Sequence, residues 1–102
     1  MSTLNIVNKS PFEKRTLEQC LKRIGEGDSV LLIEDASISA LSNTAYAEQL
    51  ISASKQSKFY VLQPDLQARG FNDASLLDSM TLVDYDGFVD LVVTHDRVHS
   101  WL

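Results

Sequence analysis

The feature that most constrains the fold is the run of four apolar residues at 30–33, Val-Leu-Leu-Ile, which follows a glycine- and aspartate-containing turn. A short apolar run without polar alternation is typical of a strand that is buried on both faces of a parallel sheet. Parallel neighbours have to be joined by crossover segments, which are usually helices. This run therefore predicts an α/β fold.

Four further segments have a strand pattern, and helical patterns separate them. The predicted strands are residues 4–7, 30–33, 58–62, 80–83 and 98–102. An amphipathic helix with a single apolar face is predicted from Leu17, Cys20, Leu21 and Ile24. The sequence thus predicts one domain over residues 1–102, with a flavodoxin-like three-layer α/β sandwich around a mainly parallel five-stranded sheet.

Capping residues predict where the helices begin and end. Residues 10–13 and 16–19 both have capping-box spacing, so the first helix begins at one of them, and Gly25 and Gly27 end it. Residues 36–41 are predicted as a short helical turn. A second helix is predicted to begin at residue 42 or 43, and a short one at Pro64 that Gly70 stops. The last helix begins at residue 84 or 86, and its predicted inward side chains are Tyr85, Phe88, Val89 and Val92.

Charge and cysteine content exclude several classes of function. The net charge of −5 disfavours direct binding of a nucleic acid, because phosphate binding needs clustered Lys and Arg. Cys20 is the sole cysteine, which excludes an internal disulfide and a cysteine-rich metal site. The first residues lack a signal-peptide pattern, and no apolar run is long enough to span a membrane. We expect a protein of the reducing cytoplasm without membrane contact.

The residues expected at the carboxyl edge of the sheet are polar apart from one proline, and their charged members are acidic except for one lysine. They are Asn8, Lys9, Glu34, Asp35, Gln63, Pro64, Asp65 and Asp84. Helix capping and solvation explain these carboxylates better than catalysis does. With four glycines and no glycine-rich phosphate motif, the chain is expected to hold no nucleotide or flavin cofactor. His95 and His99 alone make an incomplete zinc site, so no metal is expected either.

Cys20 is the candidate site residue, and two interpretations compete for it. A thiolate can accept a sulfane sulfur, and Lys14, Lys22 and Arg23 are near enough in sequence to favour the charged form. On the other side, Cys20 lies on the apolar helix stripe, where a cysteine is usually a small buried hydrophobe. If the first interpretation holds, we expect Cys20 to be partly exposed and to accept sulfur inside an assembly with partner chains, where a helix face can lie at the edge of an interface.

The aromatic C-terminus, Trp101-Leu102, is the other feature that stands out. A large aromatic residue at a chain end indicates docking, either on the domain's own core or on a neighbour. Together with Phe12, Phe71 and Tyr85 it is a candidate anchor of an interface.

The sequence as a whole resembles the DsrH/TusB family of sulfur-relay subunits. The matching segments, in order, are residues 8–13, 30–35, 40–41, 60–71, 83–91 and 101–102. Their common order and spacing carry the resemblance, although Ala36 stands where many members have glycine. Cys20 matches a cysteine of DsrH-type members that TusB-type members often lack, which favours the DsrH side.

The resemblance implies a cytoplasmic hetero-hexamer with DsrE/TusD-like and DsrF/TusC-like subunits that exchanges persulfide sulfur with sulfur-carrier proteins. The pathway is either 2-thiolation of the tRNA wobble uridine or dissimilatory sulfur oxidation, and the resemblance leaves both open. The principal sulfur-carrying cysteine would belong to the DsrE/TusD-like partner. This chain would be a non-catalytic or auxiliary subunit of a sulfurtransferase complex, with Cys20 as a possible acceptor.

Two alternatives come from other classes. One is a small flavodoxin-like cofactor-binding enzyme, which would need a phosphate loop or a nucleophile paired with a base. The other is a structural homo-oligomer. A flavin absorbance would indicate the first, and purification without partner subunits would indicate the second.

Overall fold

Five parallel strands form a single sheet in the computed structural model, which describes residues 2–101. The strands are β1 (Thr3–Val7), β2 (Ser29–Leu32), β3 (Lys58–Leu62), β4 (Met80–Val83) and β5 (Arg97–Trp101). Their order across the sheet is β4-β3-β2-β1-β5. All five predicted strands are therefore confirmed, and so is the α/β fold class; Leu102 lies outside the described residues.

Four α-helices and two 3-10 helices connect the strands. The α-helices are α1 (Thr16–Arg23), α2 (Ala47–Ala53), α3 (Gln63–Ala68) and α4 (Tyr85–Thr94). The 3-10 helices are Glu34–Ala40 and Asp73–Ser75. The first 3-10 helix confirms the short helical turn that was predicted after β2. Among residues 2–101, no helix is long and apolar enough to cross a membrane.

The larger core lies on the sheet face that α1, α2 and α3 cover. It joins Leu17 and Cys20 of α1 to Leu50 of α2 and Leu66 of α3. The strands contribute side chains from the same face, including Val7, Val30, Leu32, Phe59 and Val61. All four residues of β2 are buried, as its apolar sequence predicts for a central strand. Burying each such side chain stabilises the fold by roughly 1.5–3 kcal/mol before entropy is subtracted.

The opposite face is covered by α4, which crosses from β4 at one edge of the sheet to β5 at the other. Leu91 of α4 packs there on Leu4 and Leu31, with Phe88 partly buried beside them. A ten-residue helix is about 15 Å long, so it does not cover five strands spaced about 4.8 Å apart. This second core is accordingly small.

The predicted inward face of α4 is wrong in three of its four positions. Tyr85 and Val89 are each 60% exposed and Val92 is 38% exposed, while Leu91 is the buried residue of the helix. Only Phe88 packs against the sheet as predicted. The reason is that α4 is apolar on most of its circumference, so its sequence pattern does not specify which side faces the core.

Several helix boundaries also differ from the predictions. Neither capping box forms, because α1 begins at Thr16 without a side-chain cap and Ser10 Oγ instead accepts from the Phe12 amide at 3.2 Å. Extended Ile24, not a glycine, follows α1, and left-handed Gly27 lies in the turn before β2. The second helix begins at Ala47, several residues after the predicted cap. At α4 the predicted cap is confirmed, since Asp84 Oδ1 accepts from the Gly87 amide at 2.8 Å.

Candidate functional site

The carboxyl edge of the sheet brings together residues that follow β2 and β3. Arg69, just after α3, donates to Asp35 Oδ1 from Nε at 3.0 Å and from Nη2 at 2.8 Å. Its Nη1 also donates to the Asp65 carbonyl at 2.9 Å. The guanidinium therefore ties the segment after β2 to the helix after β3, and one carboxylate of the acidic set is used in this link.

Glu34 is held in an unusual backbone conformation at the same edge. Its φ of 48° makes it the one non-glycine residue with positive φ in the described part of the chain. Its amide donates to Asp65 Oδ2 at 2.6 Å, and its carbonyl accepts from Ser37 Oγ at 2.7 Å. The left-handed conformation costs about 1–2 kcal/mol for a side-chain-bearing residue, and these two hydrogen bonds offset that cost.

The carboxylates of this edge are thus engaged in building the loop and the helix starts. Asp35 pairs with Arg69, Asp65 receives the Glu34 amide, and Asp84 caps α4. Asp35 Oδ1 accepts from Arg69 and not from Glu34. The predicted helix capping is observed for Asp84, whereas the contacts of Asp35 with Arg69 and of Asp65 with the Glu34 amide were not predicted.

Cys20 lies in the middle of α1 and is fully buried, with 0% of its surface exposed. Its neighbours belong to the larger core, which includes Leu17, Val30 and Leu50. Burial, with a smaller contribution from the nearby Asp28 carboxylate, raises the pKa of the Cys20 thiol to about 12. In this conformation the thiol is protonated and shielded from solvent.

Partial exposure of Cys20 was expected inside the assembled complex and stays a prediction, while in the single chain the thiol is fully buried. The basic residues near Cys20 in sequence do not favour its thiolate form. Lys22, for example, is exposed, and its Nζ lies 3.9 Å from Glu18 Oε1. The physical reason is that their side chains extend into water while Cys20 points into the core. The role of Cys20 as a sulfur acceptor stays a prediction.

The two histidines have different contact partners. His95 ends α4, with Nδ1 2.7 Å from the Leu91 carbonyl and Nε2 2.8 Å from Ser29 Oγ. His99 lies in β5 and stacks on Trp101, with ring centroids 4.5 Å apart. Within residues 2–101, no three His, Cys, Asp or Glu side chains are grouped as a metal site requires.

Trp101 docks on the chain's own sheet, one of the two outcomes that the sequence left open. Its indole Nε1 donates to Asn5 Oδ1 at 3.1 Å, and its ring packs against the larger core. Asn5 Nδ2 in turn donates to the Ser29 carbonyl at 3.2 Å. Asn5 was missed in the sequence, where the signal was a single amide side chain among the apolar residues of β1.

The sequence of the chain matches a known protein family. Residues 9–98 match the family described as "DsrH like protein". The chain is 32% identical over 98 residues to Protein TusB of Pectobacterium parmentieri, covering 96% of this chain and 99% of that protein. It is 33% identical to Protein TusB of Escherichia coli K12, with the same coverage.

Solved structures share the fold at lower identity. The ychN protein of E. coli superposes with a TM-score of 0.79 and 15% identity, covering 98% of this chain and 99% of that chain. The protein MTH1491 of Methanobacterium thermoautotrophicum gives 0.73 at 12% identity, with 96% of each chain covered. These two likenesses establish the fold alone. The match of the family and of the TusB proteins over nearly the whole sequence shows that the chain belongs to the DsrH/TusB family of sulfur-relay subunits.

Proposed function

We propose that this chain is an assembly subunit of a cytoplasmic sulfur-relay hetero-hexamer. The partners are one DsrE/TusD-like and one DsrF/TusC-like subunit, with two copies of each chain in the complex. A reducing compartment suits such a relay because its thiols have to stay free of disulfides. Sulfur-carrier proteins would supply and remove the sulfur.

The observation that carries this proposal is the burial of Cys20. Persulfide transfer needs a thiolate that attacks the terminal sulfur of a donor persulfide, while the donor's S–S bond breaks and the donor leaves as a thiolate. The sole thiol of this chain is shielded in the core and its pKa is raised to about 12. The reactive cysteine of the relay is therefore expected on a partner subunit, and this chain supports it by assembly.

The pathway we favour is 2-thiolation of the tRNA wobble uridine. The support is the identity of 30–36% to TusB proteins over 98 residues. Dissimilatory sulfur oxidation is the second candidate, favoured by the presence of Cys20, which resembles the cysteine of DsrH-type members. The net charge of −5 supports a role inside the complex without direct contact to the tRNA.

Cys20 is retained in this proposal as an auxiliary acceptor. To react, it requires a conformation in which α1 separates from β1 and β2, because the thiol has no path to solvent otherwise. Mass spectrometry of the assembled complex after incubation with a persulfide donor tests this, since each added sulfur atom raises the mass by about 32 Da. Cys20→Ala is the control, because serine would place a hydroxyl in the apolar core.

The test of the function is the 2-thiouridine content of tRNA in a strain that lacks this gene, measured by mass spectrometry of nucleosides. We expect the thiolated nucleoside to be lost and to return on complementation with the wild type and with Cys20→Ala. Unchanged thiolation in the deletion strain would overturn the tRNA pathway. Loss of oxidation of stored sulfur in the same strain would then assign the chain to the second pathway.

A further inference from the structure

The outer surface of α4 is apolar and uncovered. We define it by four residues, Tyr85, Val89, Val92 and Val93, and Val93 is the most exposed of them at 76%. They recur at i, i+4, i+7 and i+8, so they form one stripe along the helix. Val98 of β5 is also exposed and points to the same sheet face, because it pairs with Leu4 of the smaller core.

A helix that is apolar on both its inner and its outer side is normally buried on both. Here the inner side packs on Leu4 and Leu31 through Leu91, whereas the outer side meets solvent. Contiguous apolar surface of this kind marks an interaction site in a folded protein. A stable contact buries about 800 Å² on each partner, so an interface centred on α4 would extend toward Val98 on β5.

Acidic residues border the apolar stripe of α4, and their charge restricts the class of partner that can cover the stripe. Asp86 and Asp90 are exposed, one turn apart, and each lies three residues before a valine of the stripe. A second copy of this chain would bring two such borders and two net charges of −5 together, which is repulsive. A membrane surface is also a poor occupant, since helices that lie on membranes carry Lys and Arg on their polar side.

We propose that the outer surface of α4 is the docking surface for a different protein chain, one whose apolar contact area is bordered by Lys or Arg. This inference rests on the proposed function, and it specifies which surface of this subunit meets a partner and with what chemistry. The valines supply the buried centre of the contact, and Asp86 and Asp90 select a basic partner at its rim.

The first experiment changes the apolar centre. Purified chain is titrated into the co-expressed DsrE/TusD-like and DsrF/TusC-like subunits, and the affinity is compared for wild type, Val93→Asp and Val93→Gln. The control is Ile51→Asp, which changes a 44% exposed residue of α2 on the other side of the sheet. We expect at least about tenfold weaker binding for both Val93 variants and unchanged binding for Ile51→Asp. Circular dichroism confirms that each variant is folded.

The second experiment changes the acidic rim. The double variant Asp86→Lys/Asp90→Lys should bind more weakly than wild type, and its binding should no longer weaken as salt is added. Glu13→Lys/Glu48→Lys changes the net charge equally at exposed positions outside α4 and is the matched control.

The outcomes separate this inference from the proposed function. If wild type binds the two subunits and both Val93 variants bind equally well, the docking surface is wrong while the complex stands. If wild type binds neither subunit, the hetero-hexamer is wrong and this inference falls with it. Sedimentation of the chain alone as a dimer that Val93→Asp dissociates would show a second copy on this surface. Val93-dependent binding to phosphatidylglycerol vesicles would show a membrane there, and either result overturns the proposal.

Discussion

Trp101 and Asn5 are joined across 96 residues of sequence by a 3.1 Å hydrogen bond from the indole Nε1 to the amide Oδ1. Asn5 is only 5% exposed, so its side chain depends on protein partners. Its Nδ2 donates to the Ser29 carbonyl, which leaves Trp101 as the partner for the oxygen. The two hydrogen bonds of Asn5 therefore tie β1 to β5 on one side and to β2 on the other.

The first prediction concerns that bond. Trp101→Phe keeps an aromatic ring on the core but removes the donor, so the free energy of unfolding should fall by about 1 kcal/mol. Trp101→Ala also removes the packing and should cost about 2 kcal/mol or more. Urea unfolding measures both values.

The control for this pair is His99→Ala. It removes the ring that stacks on Trp101 but leaves the hydrogen bond to Asn5 in place. We expect it to cost about 0.5 kcal/mol, because His99 is exposed to solvent and loses little packing when it is removed. Equal unfolding free energies for Trp101→Phe and wild type would show that the hydrogen bond contributes nothing.

The second prediction concerns the pH dependence that Cys20 causes. The folded chain keeps this thiol protonated up to about pH 12, whereas the unfolded chain ionises near the ordinary pKa of 9.0. The stability from the buried thiol is therefore complete below pH 9 and is lost as the pH rises from 9 toward 12. The difference in unfolding free energy between wild type and Cys20→Ala should shrink over that range.

The rate at which iodoacetamide alkylates Cys20 tests whether the thiol is accessible. At pH 8 the folded chain should react at least roughly a thousandfold more slowly than in denaturant, because the thiolate is scarce and shielded. Equally fast labelling with and without denaturant would show that α1 opens readily and that Cys20 is accessible.

The third prediction concerns the backbone of Glu34. Glycine adopts a φ of 48° without strain, so Glu34→Gly should be neutral or should stabilise the fold by about 0.5 kcal/mol. A β-branched residue is strained there, and Glu34→Val should cost about 1–2 kcal/mol. Thermal unfolding measures both.

The matched control is Glu48→Gly, the same substitution within α2. Glycine there should destabilise the fold by about 0.5–1 kcal/mol because it adds entropy to the unfolded chain. Opposite effects of one substitution at two exposed glutamates would identify the backbone as the cause. A destabilisation of similar size at both positions would contradict this explanation.

The strands were predictable because their pattern is local. The unbroken apolar run at 30–33 and the largely apolar segment at 80–83 identify strands without knowledge of their neighbours. The start of α1 was not predictable, since residues 10–13 and 16–19 offer equivalent capping boxes and the chain uses neither. The choice depends on how the turn after β1 packs.

The orientation of α4 was the feature that the sequence pattern predicted least well. Its sequence has apolar residues on most of the helix circumference, and we predicted the buried side as Tyr85, Phe88, Val89 and Val92. The structure buries Leu91 and partly buries Phe88, and it leaves Tyr85, Val89 and Val92 exposed.

The sequence by itself determined the alternation of strands and helices, the parallel sheet and the family, because these depend on local pattern and on motifs in a fixed order. Only the tertiary structure decided that Cys20 is inaccessible, that Trp101 docks on Asn5 and that α4 turns valines outward. Those three facts depend on which elements lie side by side. The burial and the pKa of a side chain are set by neighbours that are distant in sequence. The order of residues along the chain does not say how far apart these neighbours lie in space.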